Sequence, residues 1–232
     1  MWGLNRVFPS WDVDRGRLLY IPPDFEESHL PLLQDSIHAA RLATLVTMGA
    51  AGMEASHVPV VLDEAHGPYG AIRGHLARAN PQWRQAVKEI QALAIFTGPD
   101  AYVSPSWYAT KKKDGKVVPT WNYVAVHAYG SIEFFDDLDR LLAVVTDLTG
   151  IHESTRSDPW AVSDAPPDFI RSRLRGIVGF RLPIARLEGK WKLSQNRSEE
   201  DRAGVIEGLK NHGGSAEKAV ADRMAKAKKG GI

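Results

Sequence analysis

Residues 117–135 form a long extended stretch in which Val124, Val126, Ala128, Ile132 and Phe134 recur on one face. A period of two puts those side chains on one side of a strand and their neighbours on the other. A segment patterned this way has to pair with other strands and press one face onto a core. Gly130 inside the run permits a bulge or bend.

Other segments repeat the pattern at hairpin spacing. Strands are expected at 42–48 and 55–62, joined by Gly49-Ala50-Ala51-Gly52, and at 71–77 after Gly67-Pro68-Tyr69-Gly70. Pro59 favours an edge or a bulge in the second of these. Residues 93–96 read as a short buried strand. Residues 177–185 read as the last strand, with Val178, Phe180, Leu182 and Ile184 on its apolar face and Arg181 on the other. Helices fill the remainder. Ser28 caps one carrying Leu30, Leu33 and Ile37, and Asn80-Pro81 opens one reaching Glu89. Asp136 or Asp137 caps another, ended by Gly150. Ser163 caps a helix through Phe169 and Leu174, and Ser198 one with Val205, Ile206 and Leu209. The strands and helices do not alternate strictly, which argues against a doubly wound parallel sheet. The expected class is mainly β with peripheral helices (α+β), an antiparallel barrel.

Composition narrows the chemistry. Of the 232 residues, 44% are hydrophobic and 25% charged, a globular balance. There is no cysteine, which removes disulfides, thiolate metal sites and cysteine nucleophiles and fits a reducing cytoplasm. The net charge of +1 offers no general attraction to nucleic acid. No apolar run approaches the length of a membrane span, and the N-terminus lacks a secretory h-region. His57, His75 and His127 are dispersed, and no metal site is expected.

Five polar motifs attach to the expected strands. They are Ser56-His57; His75 through Arg78 to Asn80; Ser104, Ser106 and Trp107; Thr120-Trp121-Asn122; and the stretch 187–197, LEGKWKLSQNR. The last packs Lys190, Lys192 and Arg197 among Trp191, Ser194, Gln195 and Asn196. Each has a plain structural reading: a strand-end aromatic covering the core, a histidine tying a turn, a basic loop facing water. Together they supply cations, hydroxyls and amides around aromatics. That set matches a ligand with a phosphate at one end and a planar, hydrogen-bonding ring at the other, and flavin mononucleotide (FMN) fits it.

The motifs GHLARANPQW, GPDAYVSPSWY, VPTWNYVAVHAYG, WAVSDAPPDFI and LEGKWKLSQNR, after Tyr20-Ile21-Pro22-Pro23-Asp24-Phe25, resemble the PaiB-type family of FMN-binding negative transcriptional regulators. The resemblance covers residues 19–210. It leaves an N-terminal extension at 1–18, where Trp2, Phe8 and Trp11 could dock, and a flexible or weakly helical tail at 211–232. It implies an FMN-binding split β-barrel like that of pyridoxamine-phosphate oxidases. It also implies a homodimer with the flavin between subunits, and repression of genes. Direct DNA binding is not evident: no helix-turn-helix stands out, and the basic segments 111–116, 171–175 and 226–229 read equally well as solvated faces. The regulator reading, sensing flavin or redox state, has two rivals. One is an FMN-dependent oxidoreductase acting on a small molecule, for which His75, His127 and Tyr108 are unassigned acid–base candidates. The other is an interaction module without cofactor. No catalytic residue is assigned.

Overall fold

The computed structural model describes residues 18–227. The expected docking role of Trp2, Phe8 and Trp11 falls outside them. Among the described residues, nine strands form one sheet in the order β1-β9-β6-β5-β2-β3-β4-β8-β7. These are β1 (Glu26–Glu27), β2 (Leu42–Gly49), β3 (Gly52–Asp63), β4 (Ala71–Ala77), β5 (Ala92–Val103), β6 (Thr120–Gly130), β7 (Glu133–Phe135), β8 (Ile177–Pro183) and β9 (Arg186–Lys192). Every pairing is antiparallel. The sheet curls on itself: after β8, the Ala185 N–H donates to the Tyr129 carbonyl of β6 at 2.8 Å.

Among the described residues, seven α-helices surround it: α1 (Leu30–Ala40), α2 (Gln82–Gln85), α3 (Lys111–Asp114), α4 (Leu138–Glu153), α5 (Pro167–Leu174), α6 (Glu199–His212) and α7 (Ser215–Lys226). The interior is filled by Leu45, Ile72, Phe96, Phe180, Leu182 and Leu193, all essentially inaccessible. α1 plugs the barrel with Leu33 and Ile37. Leu33 reaches Gly189 of β9, where any Cβ would collide with it. α6 and α7 add Val205, Leu209, Val220 and Met224 to the same core. α4 lies on the outer side, packing Val144 and Leu148 on Val61 of β3.

Several sequence expectations are corrected by tertiary context. The stretch after Leu187 is not a loop: residues 186–192 are β9, inserted between β1 and β6. β5 does not end at Phe96 but continues to Val103 through a bulge at Gly98 and Pro99, between Thr97 and Asp100. Pro59 lies in an interior strand, not at an edge. It sits where β3 leaves β2, at the Leu42 pair, and joins β4 from Val60, so its missing N–H interrupts little. The helix from Asn80 has only four residues, as has the one in the lysine loop. α1 opens at Leu30 with His29 at the N-cap, one residue beyond the expected Ser28 cap. Asp137 does cap α4, whose helix runs on through Gly150. Residues 215–226 of the expected weak tail form α7, with Val220, Ala221 and Met224 buried. Burial supplies what propensity does not.

Candidate functional site

β2 is apolar on both faces. Ala43 and Leu45 point inward, while Leu42, Thr44, Val46 and Met48 point outward, where Leu42 is 55% exposed. The outer face continues in register through Leu93 and Ile95 of β5 and Tyr123, Ala125, His127 and Tyr129 of β6 to Glu188, Lys190 and Lys192 of β9. One rung carries His57, Thr44, Ile95, His127 and Glu188 across five strands. An apolar floor therefore lies between two polar margins.

On the β9 margin, Lys190 is only 7% exposed. Its ammonium donates to the Tyr20 carbonyl at 2.8 Å and lies within 5.5 Å of the Tyr20 and Tyr123 ring centres. Lys192 donates to the Thr120 hydroxyl at 2.6 Å. Burial pulls the Lys192 pKa below the usual lysine value; Tyr123 opposes this and Lys190 adds to it. Neither lysine makes an ion pair with a carboxylate among the described residues. Next to them, burial lowers the His127 pKa; Glu188 raises it and Lys190 lowers it. Burial and the Glu188 carboxylate push the Tyr129 phenol up to about 12, so it stays protonated at 3.2 Å from the His127 Nδ1. On the opposite margin, Thr44 and His57 are bonded at 3.0 Å.

The other sequence-predicted residues are distributed differently. Asn122 and Ser194 are buried and exchange hydrogen bonds, with the Asn122 amide also 3.3 Å from Met224 Sδ. Ser194 occupies the left-handed region at φ 62°. Gln195 closes the same turn, accepting from the Leu193 N–H and donating to the Trp191 carbonyl. Asn196 is exposed, and the Arg197 guanidinium lies 4.9 Å over the Tyr108 ring. Trp121 is exposed and edge-on to Tyr102. Ser104 accepts from the Ser106 N–H, the Ser106 hydroxyl accepts from Lys111, and Trp107 stacks on His212 of α6. Asn80 donates to the Ser56 hydroxyl and accepts from the Gln82 N–H. Arg78 donates to the Arg175 and Ile177 carbonyls, tying β4 to the start of β8. Burial lowers the pKa of His75 on β4, and its Nδ1 is buried with no partner.

One chain thus gathers Lys190, Lys192, Thr120 and, at the far margin, His57 on the outer face. It places Ser194 and Gln195 in the turn after β9, with Asn122 of β6 bonded to Ser194, and Ser104, Ser106 and Trp107 in the turn whose Trp107 packs on α6. Arg78 follows β4, a strand five places from β9, which carries Lys192, in the sheet order. Leu42, Thr44 and Ile95 of the face were missed from sequence, whereas Tyr123 ends the motif that begins at Pro119. The available signal was the two-sided apolar character of residues 42–48, which marks a strand covered on both sides.

A family model described as "Putative FMN-binding domain" matches residues 19–186. The chain belongs to this family. A relative from Bacillus subtilis, "Protease synthase and sporulation protein PAI 2", is 35% identical over 206 residues, covering 89% of this chain and 96% of its own. An uncharacterized protein of Aspergillus fumigatus is 36% identical, covering 84% and 92%. Among solved structures, a conserved hypothetical protein of Mycobacterium tuberculosis aligns with a TM-score of 0.54 at 13% identity, over 78% of this chain and 95% of that one. The FAD and heme binding protein of Mycobacterium smegmatis aligns at 0.55 and 16%, over 77% and 78%. These likenesses establish the fold, a split β-barrel.

FMN is the cofactor of the family, and the outer face fits it. Two buried or half-buried ammonium groups with no carboxylate partner among the described residues suit a phosphate. The half-exposed Val46, Leu93 and Ile95 suit a planar ring, and the Thr44, His57, His127 and Thr120 side chains can hydrogen-bond its edge. No helix among the described residues is long and apolar enough to cross a membrane.

Proposed function

We propose that this protein is a homodimeric, FMN-binding transcriptional repressor of the cytoplasm that responds to bound flavin or its redox state. The observation that carries the flavin reading is an apolar floor bordered by two lysines that have no carboxylate partner among the described residues. Lys190 and Lys192, with the Thr120 hydroxyl, hold the phosphate. His57 and Thr44 hydrogen-bond from the other margin. The remaining polar motifs, from Ser56 and His75 to Ser104 and Arg197, brace these walls or reach the flavin across the interface. When bound, FMN supplies one- or two-electron redox chemistry. A second copy covers the face: Leu42 and the 76%-exposed Met53, together with Val46 and Met48, make an apolar surface that a monomer would leave wet. The regulatory output follows the family resemblance and a relative named for protease synthase and sporulation.

Titration of FMN into wild type and K192Q, read by quenching of flavin fluorescence, tests the phosphate position. Loss of one charge-assisted contact is expected to weaken binding about tenfold or more. Equal affinity would move the phosphate elsewhere. Footprinting with the purified protein tests repression, and no sequence-selective protection with oxidised, reduced or no flavin would remove direct DNA binding.

The competing reading, an FMN-dependent oxidoreductase, draws on His127. Its imidazole is kept neutral near pH 7 on the same face, beside the protonated Tyr129, and could move a proton there. Flavin bleaching by NADPH that is slowed in H127Q would favour it.

A further inference from the structure

On the far side of the barrel, α4 crosses β4 and β8, and a pocket of about 370 Å³ opens between them and β7. Six residues line it: Arg73, Phe135, Arg140, Ala143, Val144 and Arg181. Half are arginines. We propose that this pocket is a second binding site, for a small phosphomonoester, separate from the flavin face.

The charges are unbalanced. Arg73 and Arg181 are directly opposite in the β4–β8 register, an arrangement that repels when nothing lies between. Arg73 pairs with Asp147 of α4 at 2.8 Å, and Arg140 with Glu133 of β7 at 2.8 Å. Arg181 makes no ion pair of its own among the described residues: it donates to the His66 Nδ1 at 2.6 Å, and the carboxylate opposite it in the β7–β8 register is Glu133, already bonded to Arg140. Three guanidiniums therefore face two carboxylates. The positive field is felt locally: the Arg140 hydrogen bond, with the Arg140 and Arg181 charges, holds the Glu133 carboxyl below its usual range.

An open donor is also present. The Arg73 Nε is buried with no hydrogen-bond partner. A buried guanidinium nitrogen left this way suits an oxyanion, which can accept from several N–H groups at once. The opposite wall is apolar. Ala143 and Val144 of α4 face Phe135, whose ring carries the Arg140 guanidinium 3.8 Å above it. An organic group attached to the phosphate would rest there. Arg140, with a side chain 44% exposed, stands at the mouth. Occupancy would tie α4 to β4, β7 and β8. Lys190 and Lys192, on β9, take no part.

Isothermal titration with phenyl phosphate, at constant ionic strength and with excess FMN present, tests the site on the full chain. Saturable binding is expected, weakened about tenfold or more in R140Q and unchanged in K112Q, an exposed lysine elsewhere. Circular dichroism verifies the fold of R140Q, and R181Q provides a second variant with the same expected loss. No saturable binding to wild type, wild-type affinity in both arginine variants, or an equal loss in K112Q would overturn the proposal. Displacement of bound FMN by phenyl phosphate would overturn the separateness of the two sites.

Discussion

His75 and His127 share a property with a consequence for pH. Burial lowers both pKa values, so the folded chain holds them neutral where the unfolded chain would protonate them. Below the unfolded value of about 6.5, the unfolded state binds more protons and stability falls until the folded pKa is passed; above it these groups add no pH dependence. Urea denaturation from pH 8 to 5 should show that decline, and H75Q/H127Q should flatten it. An unchanged slope in the double variant would mean that other groups drive it. Side-chain identity made both histidines visible in the sequence as members of polar motifs. Their burial was not visible, because it depends on which strands flank β4 and β6, and those strands are far away in sequence. Lys190 was singled out for its charge, yet its anchoring to the Tyr20 carbonyl is a contact across 170 positions.

At the level of elements, α6 docks on the turn Pro105–Trp107 through two glycines. A Cβ on Gly204 would strike the Trp107 carbonyl, and one on Gly208 would enter the indole. The two are one helical turn apart, so one smooth stripe of α6 receives the whole turn. G208A is expected to destabilise the fold by about 1–3 kcal/mol through overpacking, although alanine is the better helix former. A rise in denaturation midpoint for G208A would show that the indole moves away freely. Elements with unbroken alternation between clear turns, such as 71–77, were legible to the residue. β9 was not, although Leu187, Trp191 and Leu193 alternate with Glu188, Lys190 and Lys192. Gly189 occupies the inward position that Leu33 fills from α1, and a glycine among lysines reads as a loop. α7 was faint for the opposite reason: its own sequence favours helix weakly, and the barrel supplies the partner for Val220 and Met224.

For the whole molecule, the nine-stranded closure explains why one chain leaves an apolar face outward. β2 and β5 are central, their inner faces already filled by Leu45, Ala94 and Phe96, while Leu42, Val46 and Ile95 stay uncovered. The family resemblance made the fold and the cofactor legible. It did not make legible which motifs share a face, because strand order separates Arg78 from Lys192 while bringing His57 and His127 onto one rung. The central claim is that FMN lies on this face between two copies. Sedimentation velocity of the FMN-loaded protein, followed at the flavin absorbance band, tests it most directly, with L42D/I95D run beside wild type. Flavin should sediment with a species of twice the 25.6 kDa chain mass, and the variant should be monomeric and colourless. Flavin travelling with a 25.6 kDa monomer, or a monomeric variant that keeps its flavin, would contradict it.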